Sequence, residues 1–154
     1  MARVWLAGEE DLESVTALFA GFRDHMGRDV PADDQLRATV EVLLRDPNAE
    51  YLLAAADGDE RPAGLCQLRF RLAVWTGVDD CWLEDLFVER EARRGGLGRA
   101  LVTAAFERAR RRGCARIELD VDEDNTGALA FYETLGLSAD SKPPGRNLLV
   151  GRRL

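Results

Sequence analysis

Histidine and lysine are almost missing from this chain, and its cysteines are few. His25 is the single histidine, the three cysteines are Cys66, Cys81 and Cys114, and no CxxC pair occurs. Structural zinc sites need clustered Cys and His ligands, and disulfide frameworks need paired cysteines, so neither is expected and no metal is assigned. Lys142 is the only lysine among 21 basic residues, which removes the Gly-Lys-Ser/Thr core of a nucleotide P-loop. No run approaches the ~18 apolar residues of a membrane span. The opening "MARVWLAGEEDLESV" meets its acids too early for a signal peptide, so a cytoplasmic protein is expected. A net charge of −7 makes nucleic acid a poor partner. It suits a cationic small substrate, although solubility alone also accounts for it.

What is present is a full set of amphipathic segments. The 154 residues, 46% hydrophobic, fit one domain over 1–154. "RVWLA" reads as a strand, and Leu12, Val15, Leu18, Phe19 and Phe22 share one face of a following helix. A second helix runs through "PADDQLRATVEVLLRDPN". "EYLLAAAD", "PAGLCQLRFRLAVW" and "CWLEDLFV" read as three strands separated by turns at "DGDE" and "TGVDD". Leu97, Leu101, Val102, Ala105, Phe106 and Ala109 form the apolar face of a long helix to Arg112, with Gly113 suited to the position after its end. "CARIELDV" is a strand, "NTGALAFYETLGL" a short helix closed by Gly136, and "NLLVGRRL" a last strand. The expected order is β-α-α-β-β-β-α-β-α-β-β. That is a mixed α/β fold, with a mostly antiparallel central sheet and helices on both faces.

Between the "CWLEDLFV" strand and the long helix lie Arg93, Arg94, Gly95, Gly96, Leu97, Gly98 and Arg99. Glycines let backbone amides approach a ligand, and the first amides of a helix lack intrahelical partners and carry positive potential. Such a turn suits a phosphate. A GxGxxG dinucleotide fingerprint from Gly96 fails at Leu101. What remains, Arg93-x-x-Gly96-x-Gly98, resembles the (Gln/Arg)-x-x-Gly-x-(Gly/Ala) acyl-CoA loop of the GNAT superfamily of N-acetyltransferases. A second motif of that family, an Asn followed by a helix ending in Phe-Tyr-x-x-x-Gly-Phe, is matched by Asn125, Ala128, Phe131, Tyr132, Gly136 and Leu137. Arg90 stands where a proline is common and Arg94 where a glycine is common, and neither removes a loop amide. "WLEDLFV" is similar to the corresponding strand of the spermidine/spermine and thialysine acetyltransferase branch.

The resemblance implies acetyl-CoA as co-substrate, with its pyrophosphate on the loop amides and its pantetheine arm beside splayed parallel strands, near Asn125. It implies Glu84 as general base acting through water, with Asp85, Asp120 and Asp122 in reserve. Tyr132 becomes the acid that protonates the departing thiolate, and a backbone N–H among Leu86, Phe87 and Val88 meets the thioester oxygen. Read as plain structure, the same residues are a solvent-facing carboxylate, a core aromatic beside Phe131 and a helix cap. His25 could line the acceptor pocket. The expected activity is direct acetyl transfer, in a ternary complex, to a small primary amine: a diamine, polyamine or amino-acid-like compound. Alternatives are an aminoglycoside, a protein N-terminus or lysine as acceptor, or a CoA-binding sensor without turnover. Homodimers are frequent in the family, with the last strand as a contact. Two features point elsewhere. Asp120, Asp122 and Asp124 imitate a calcium loop that Asn125 and Phe131 then break. "RARRRG" is basic, and reads as a solvated helix end or as a reach toward the CoA 3′-phosphate.

Overall fold

The computed structural model describes residues 1–139 and 150–154. Met1–Leu119 and Asp120–Leu154 are two compact units. The first contains β1 (Arg3–Leu6), α1 (Leu12–His25), α2 (Asp33–Leu44), β2 (Ala49–Ala55), β3 (Gly64–Leu72), β4 (Asp79–Val88), α3 (Leu97–Arg111) and β5 (Ile117–Glu118). Its sheet has the order β1-β2-β3-β4-β5. The first four strands are antiparallel, and β5 lies parallel to β4 after the α3 crossover.

Strand alternation distributes the core between two faces. Tyr51 and Leu53 of β2, Leu65 of β3 and Phe87 of β4 face Val15 and Leu18 of α1 and Val40 of α2. The intervening positions carry α3: the Leu101 side chain lies 3.1 Å from where a Cβ on Gly64 would stand, and Leu97, Leu101, Val102 and Ala105 are buried. Burying each such leucine contributes roughly 1.5–3 kcal/mol.

Polar contacts fix α3 on its face. Arg108 grips Glu50 through two bonds of 2.8 and 2.7 Å, and Arg112 donates to Asp79 at 2.9 Å while covering the Phe70 ring at 4.1 Å. Two arginines of "RARRRG" are therefore structural. Gly113, at φ +78°, takes the left-handed conformation expected after the helix end.

The strand expected over 114–121 is confined to Ile117–Glu118, because β4 withdraws as its partner beyond Trp82. The second unit contains α4 (Thr126–Glu133). The last strand expected over 147–154 lies outside the described residues as far as 149, and 150–154 carry no strand. No helix among the described residues is long and apolar enough to cross a membrane.

Candidate active site

The site begins with an irregularity in β4. Gln67 pairs with Asp85 but the next residue, Leu68, pairs with Leu83, so Glu84 is an extra residue without an opposite number. This is a β-bulge, which re-aims the strand. Its effect can be followed bond by bond. Before the bulge, Cys81 N–H donates to Arg116 O on the β5 side. After it, Glu89 N–H donates to Ala63 O on the β3 side. Alternation from Glu89 turns the backbone groups of Phe87 toward β3 and those of Leu86 and Val88 toward the β5 side. On that side β5 pairs only with Cys81 and Trp82, leaving β4 unpaired from Leu83 onward among the described residues. The bulge and the early end of β5 together leave an open strand edge presenting the N–H groups of Leu86 and Val88. Phe87 has a different job: its ring is buried and stacks on Phe22 with centroids 5.1 Å apart.

The glycine-arginine loop follows this edge directly. Arg94 at φ 68° and Gly96 at φ 82° are both left-handed, so the chain curls back before α3 starts. A left-handed conformation costs a non-glycine residue roughly 1–2 kcal/mol, which explains why a glycine is common where Arg94 stands. Gly96 is the N-cap of α3, and no side chain caps it. Ala100 N–H donates to Gly96 O at 3.0 Å, so the amides ahead of it, those of Leu97 and Gly98 included, are unused by the helix. They have the chemistry to hold a diphosphate. Arg93 fastens the loop to β4: its Nε donates to Val88 O at 2.9 Å, and its terminal nitrogen lies 3.3 Å from His25 Nε2. His25 thus meets the loop arginine, in addition to the Phe87 ring at 6.1 Å between centroids.

Glu84 is exposed and Asp85 half-buried. Burial pushes the Tyr51 phenol up, Asp85 adds to that push, Arg69 opposes it, and Glu84 adds a smaller push. Tyr51, Gln67 and Arg69 were not legible as site residues. The available signal was a tyrosine and a glutamine flanked by apolar residues in their strands, both of them buried.

In the second unit, Asn125 caps α4, with Oδ1 accepting from Ala128 N–H at 3.2 Å. That leaves the two donors of its amide nitrogen outside the cap. Phe131 and Tyr132 stand in the last turn of α4, half-buried, with ring centroids 5.2 Å apart. Gly136 closes the segment at φ +80°.

These features have a match among known proteins. A profile of the Acetyltransferase (GNAT) family matches residues 12–137. The chain belongs to that family. It is 32% identical over 116 residues to a thialysine N-epsilon-acetyltransferase of Sus scrofa, covering 67% of this chain and 66% of that protein. It is 30% identical over 97 residues to an L-ornithine N5-acetyltransferase of Arabidopsis thaliana, covering 63% of this chain and 42% of that protein. The chain therefore spans less than two thirds of either relative. A crystal structure of a proposed acetyltransferase from Arthrobacter sp. FB24 superposes with a TM-score of 0.87 at 34% identity, covering 99% of this chain and 96% of that one.

One consequence of the GNAT loop can be tested on the backbone alone. A methyl at Gly96 meets nothing within 4 Å, so Gly96→Ala acts only through the left-handed φ. It should cost roughly 1–2 kcal/mol of stability and shrink the thermal stabilisation given by acetyl-CoA. Differential scanning with and without the thioester reads both, and an undiminished acetyl-CoA shift would separate the loop conformation from cofactor binding.

Proposed function

We propose that this chain is an N-acetyltransferase that moves an acetyl group from acetyl-CoA to a primary amine of a small molecule, a diamine, polyamine or amino-acid-like compound, within a ternary complex. Both units are assigned to one cytoplasmic acetyltransferase domain. The observation that carries the reading is the Glu84 bulge followed by an open β4 edge and an uncapped glycine loop. The edge supplies strand-like amides for the pantetheine arm, and the loop supplies amides for the pyrophosphate. Small-amine acceptors in the names of the pig and Arabidopsis relatives support the acceptor class.

Most alkyl amines are protonated at neutral pH, and only the free amine attacks. In the proposed sequence Glu84 receives the amine's proton through a water. The nitrogen then attacks the thioester carbonyl, whose oxygen takes a hydrogen bond from Leu86 or Val88 N–H. As the C–S bond breaks the nitrogen sheds its second proton, Tyr132 gives its proton to the departing thiolate, and the proton lost by the nitrogen restores the phenol through water. Arg93, Arg94 and Arg99 surround the diphosphate with positive charge, and Asn125 offers its amide nitrogen to the pantetheine.

The direct test is release of free thiol from acetyl-CoA against a panel of diamines, polyamines, amino acids, aminoglycosides and peptides. Amine-dependent release is expected, with small amines ahead of aminoglycosides and peptides. Thermal stabilisation by acetyl-CoA without release by any amine would replace this reading with that of a CoA sensor.

A further inference from the structure

Two contacts orient the Arg93 side chain. Its Nε donates to Val88 O at 2.9 Å, and its terminal nitrogen lies 3.3 Å from His25 Nε2. A guanidinium carries five N–H donors and no acceptor. In the second contact His25 Nε2 is therefore the acceptor, and the imidazole is neutral with its proton on Nδ1. One bond leaves a guanidinium free to swivel. Two bonds fix its plane, and with it the direction of the N–H groups that remain. His25 itself is placed by the end of α1, of which it is the last residue. Gly27 N–H donates to Asp24 O at 2.9 Å and Arg28 N–H to Arg23 O at 3.1 Å, which closes the helix. Phe22, one turn earlier, stacks on Phe87 at 5.1 Å, and a Cβ on Gly21 would lie 3.6 Å from the same ring. The end of α1 is thus seated on β4, with the His25 ring beside Phe87 at 6.1 Å between centroids.

We propose that His25 is a positioning residue for the cofactor: its imidazole holds the Arg93 guanidinium in the orientation that meets the diphosphate of acetyl-CoA. The inference rests on the acetyl-transfer reading above and adds to it a residue from α1, an element outside the glycine-arginine loop. An arginine that is already oriented loses less rotamer freedom when the ligand binds, so affinity rises without a new contact to the ligand. Both side chains are exposed, so water competes for the contact and its effect is modest. A histidine that only packed on Phe87 would need its ring, whereas one that holds Arg93 needs its acceptor. Two substitutions separate these needs. His25→Phe keeps a ring beside Phe87 and loses the acceptor. His25→Gln loses the ring and carries an amide oxygen to about the reach of Nε2.

Equilibrium titration with acetyl-CoA reads the affinity, thiol release with an amine reads turnover, and a melting curve without cofactor reads the fold. His25→Phe should raise the Kd for acetyl-CoA about three- to tenfold, the scale of one hydrogen bond. It should leave kcat within about twofold, because the bond serves ground state and transition state alike. His25→Gln should bind within about twofold of the unaltered protein. In an Arg93→Ala background, which itself weakens binding, His25→Phe should add less than about twofold, since the group it positions is gone. A His25→Phe protein that melts normally and binds acetyl-CoA as the unaltered protein does would overturn the inference. So would His25→Gln weakening binding as much as His25→Phe, or an undiminished His25→Phe effect in the Arg93→Ala background. Each of these outcomes leaves acetyl transfer standing. An unaltered protein that does not bind acetyl-CoA would sink the transfer reading itself, and this inference with it.

Discussion

Replacing Tyr132 with phenylalanine should lower kcat about 100-fold while leaving the KM for acetyl-CoA within about twofold. The size follows from the leaving group. A thiol has a pKa near ~8.5 and can depart as thiolate unaided, so the loss stays at the lower end of acid-base effects. The substitution is chosen because it keeps the ring. Tyr132 and Phe131 are neighbours in α4 at 5.2 Å between centroids, and a purely packing role would be served almost as well by phenylalanine. The melting temperature should therefore hold while turnover falls. Single-turnover measurements at saturating acetyl-CoA would locate the loss in the chemical step. Unchanged turnover with an intact fold would remove the acid assignment and leave Tyr132 as a half-buried aromatic at the helix end.

Much of the scaffold was legible because its signals are local. The helical spacing of Leu97, Leu101, Val102 and Ala105 puts them on one face of a helix, and these four residues are buried. Two glycines before that helix and a third in its first turn announced amides without helical partners, and α3 starts uncapped by any side chain, with Ala100 N–H donating to Gly96 O. What the sequence could not show depends on register between strands. "CWLEDLFV" looks like one uninterrupted strand, and only its pairing with β3 reveals that Glu84 is the extra residue. The same register explains why the three candidates Leu86, Phe87 and Val88 divide into two open-edge residues and one core residue. Arg93 reads in the sequence as one more phosphate-binding charge, and nothing in the sequence announces that its Nε also ties the loop to Val88 O. Long side chains choose partners from across the fold, and composition does not say which. The aspartates at the start of the second unit illustrate the converse. Their spacing is periodic enough to suggest calcium, yet the residues that would complete the loop are absent.

The strongest expectation attaches to Glu84, because the bulge gives it a position that no other carboxylate of the sheet shares. Glu84→Gln preserves the length of the side chain and the residue count of β4, so the bulge and the open edge should survive. Only the proton acceptor is lost. At neutral pH kcat/KM should fall by a factor of roughly 10² to 10⁴, the range of general base catalysis. The deficit should narrow as pH rises, because an alkyl amine with a pKa near ~10.4 increasingly supplies its own free base. A plot of log kcat/KM against pH should therefore climb with a slope near one in the variant, well above the pH at which the unaltered enzyme has levelled off. Asp85→Asn is the control from the same strand. It removes the adjacent carboxylate without touching the bulged position, and it should keep the unaltered profile if Glu84 is the base. A Glu84→Gln profile identical in shape and height to that of the unaltered protein would transfer the role elsewhere, with Asp85, Asp120 and Asp122 next in line. The physical case for Glu84 is that a base must be wet enough to exchange its proton and fixed enough to meet the amine. An exposed side chain on a bulge within a paired strand meets both conditions, because the sheet holds the backbone while the missing cross-strand neighbour leaves the carboxylate open to water.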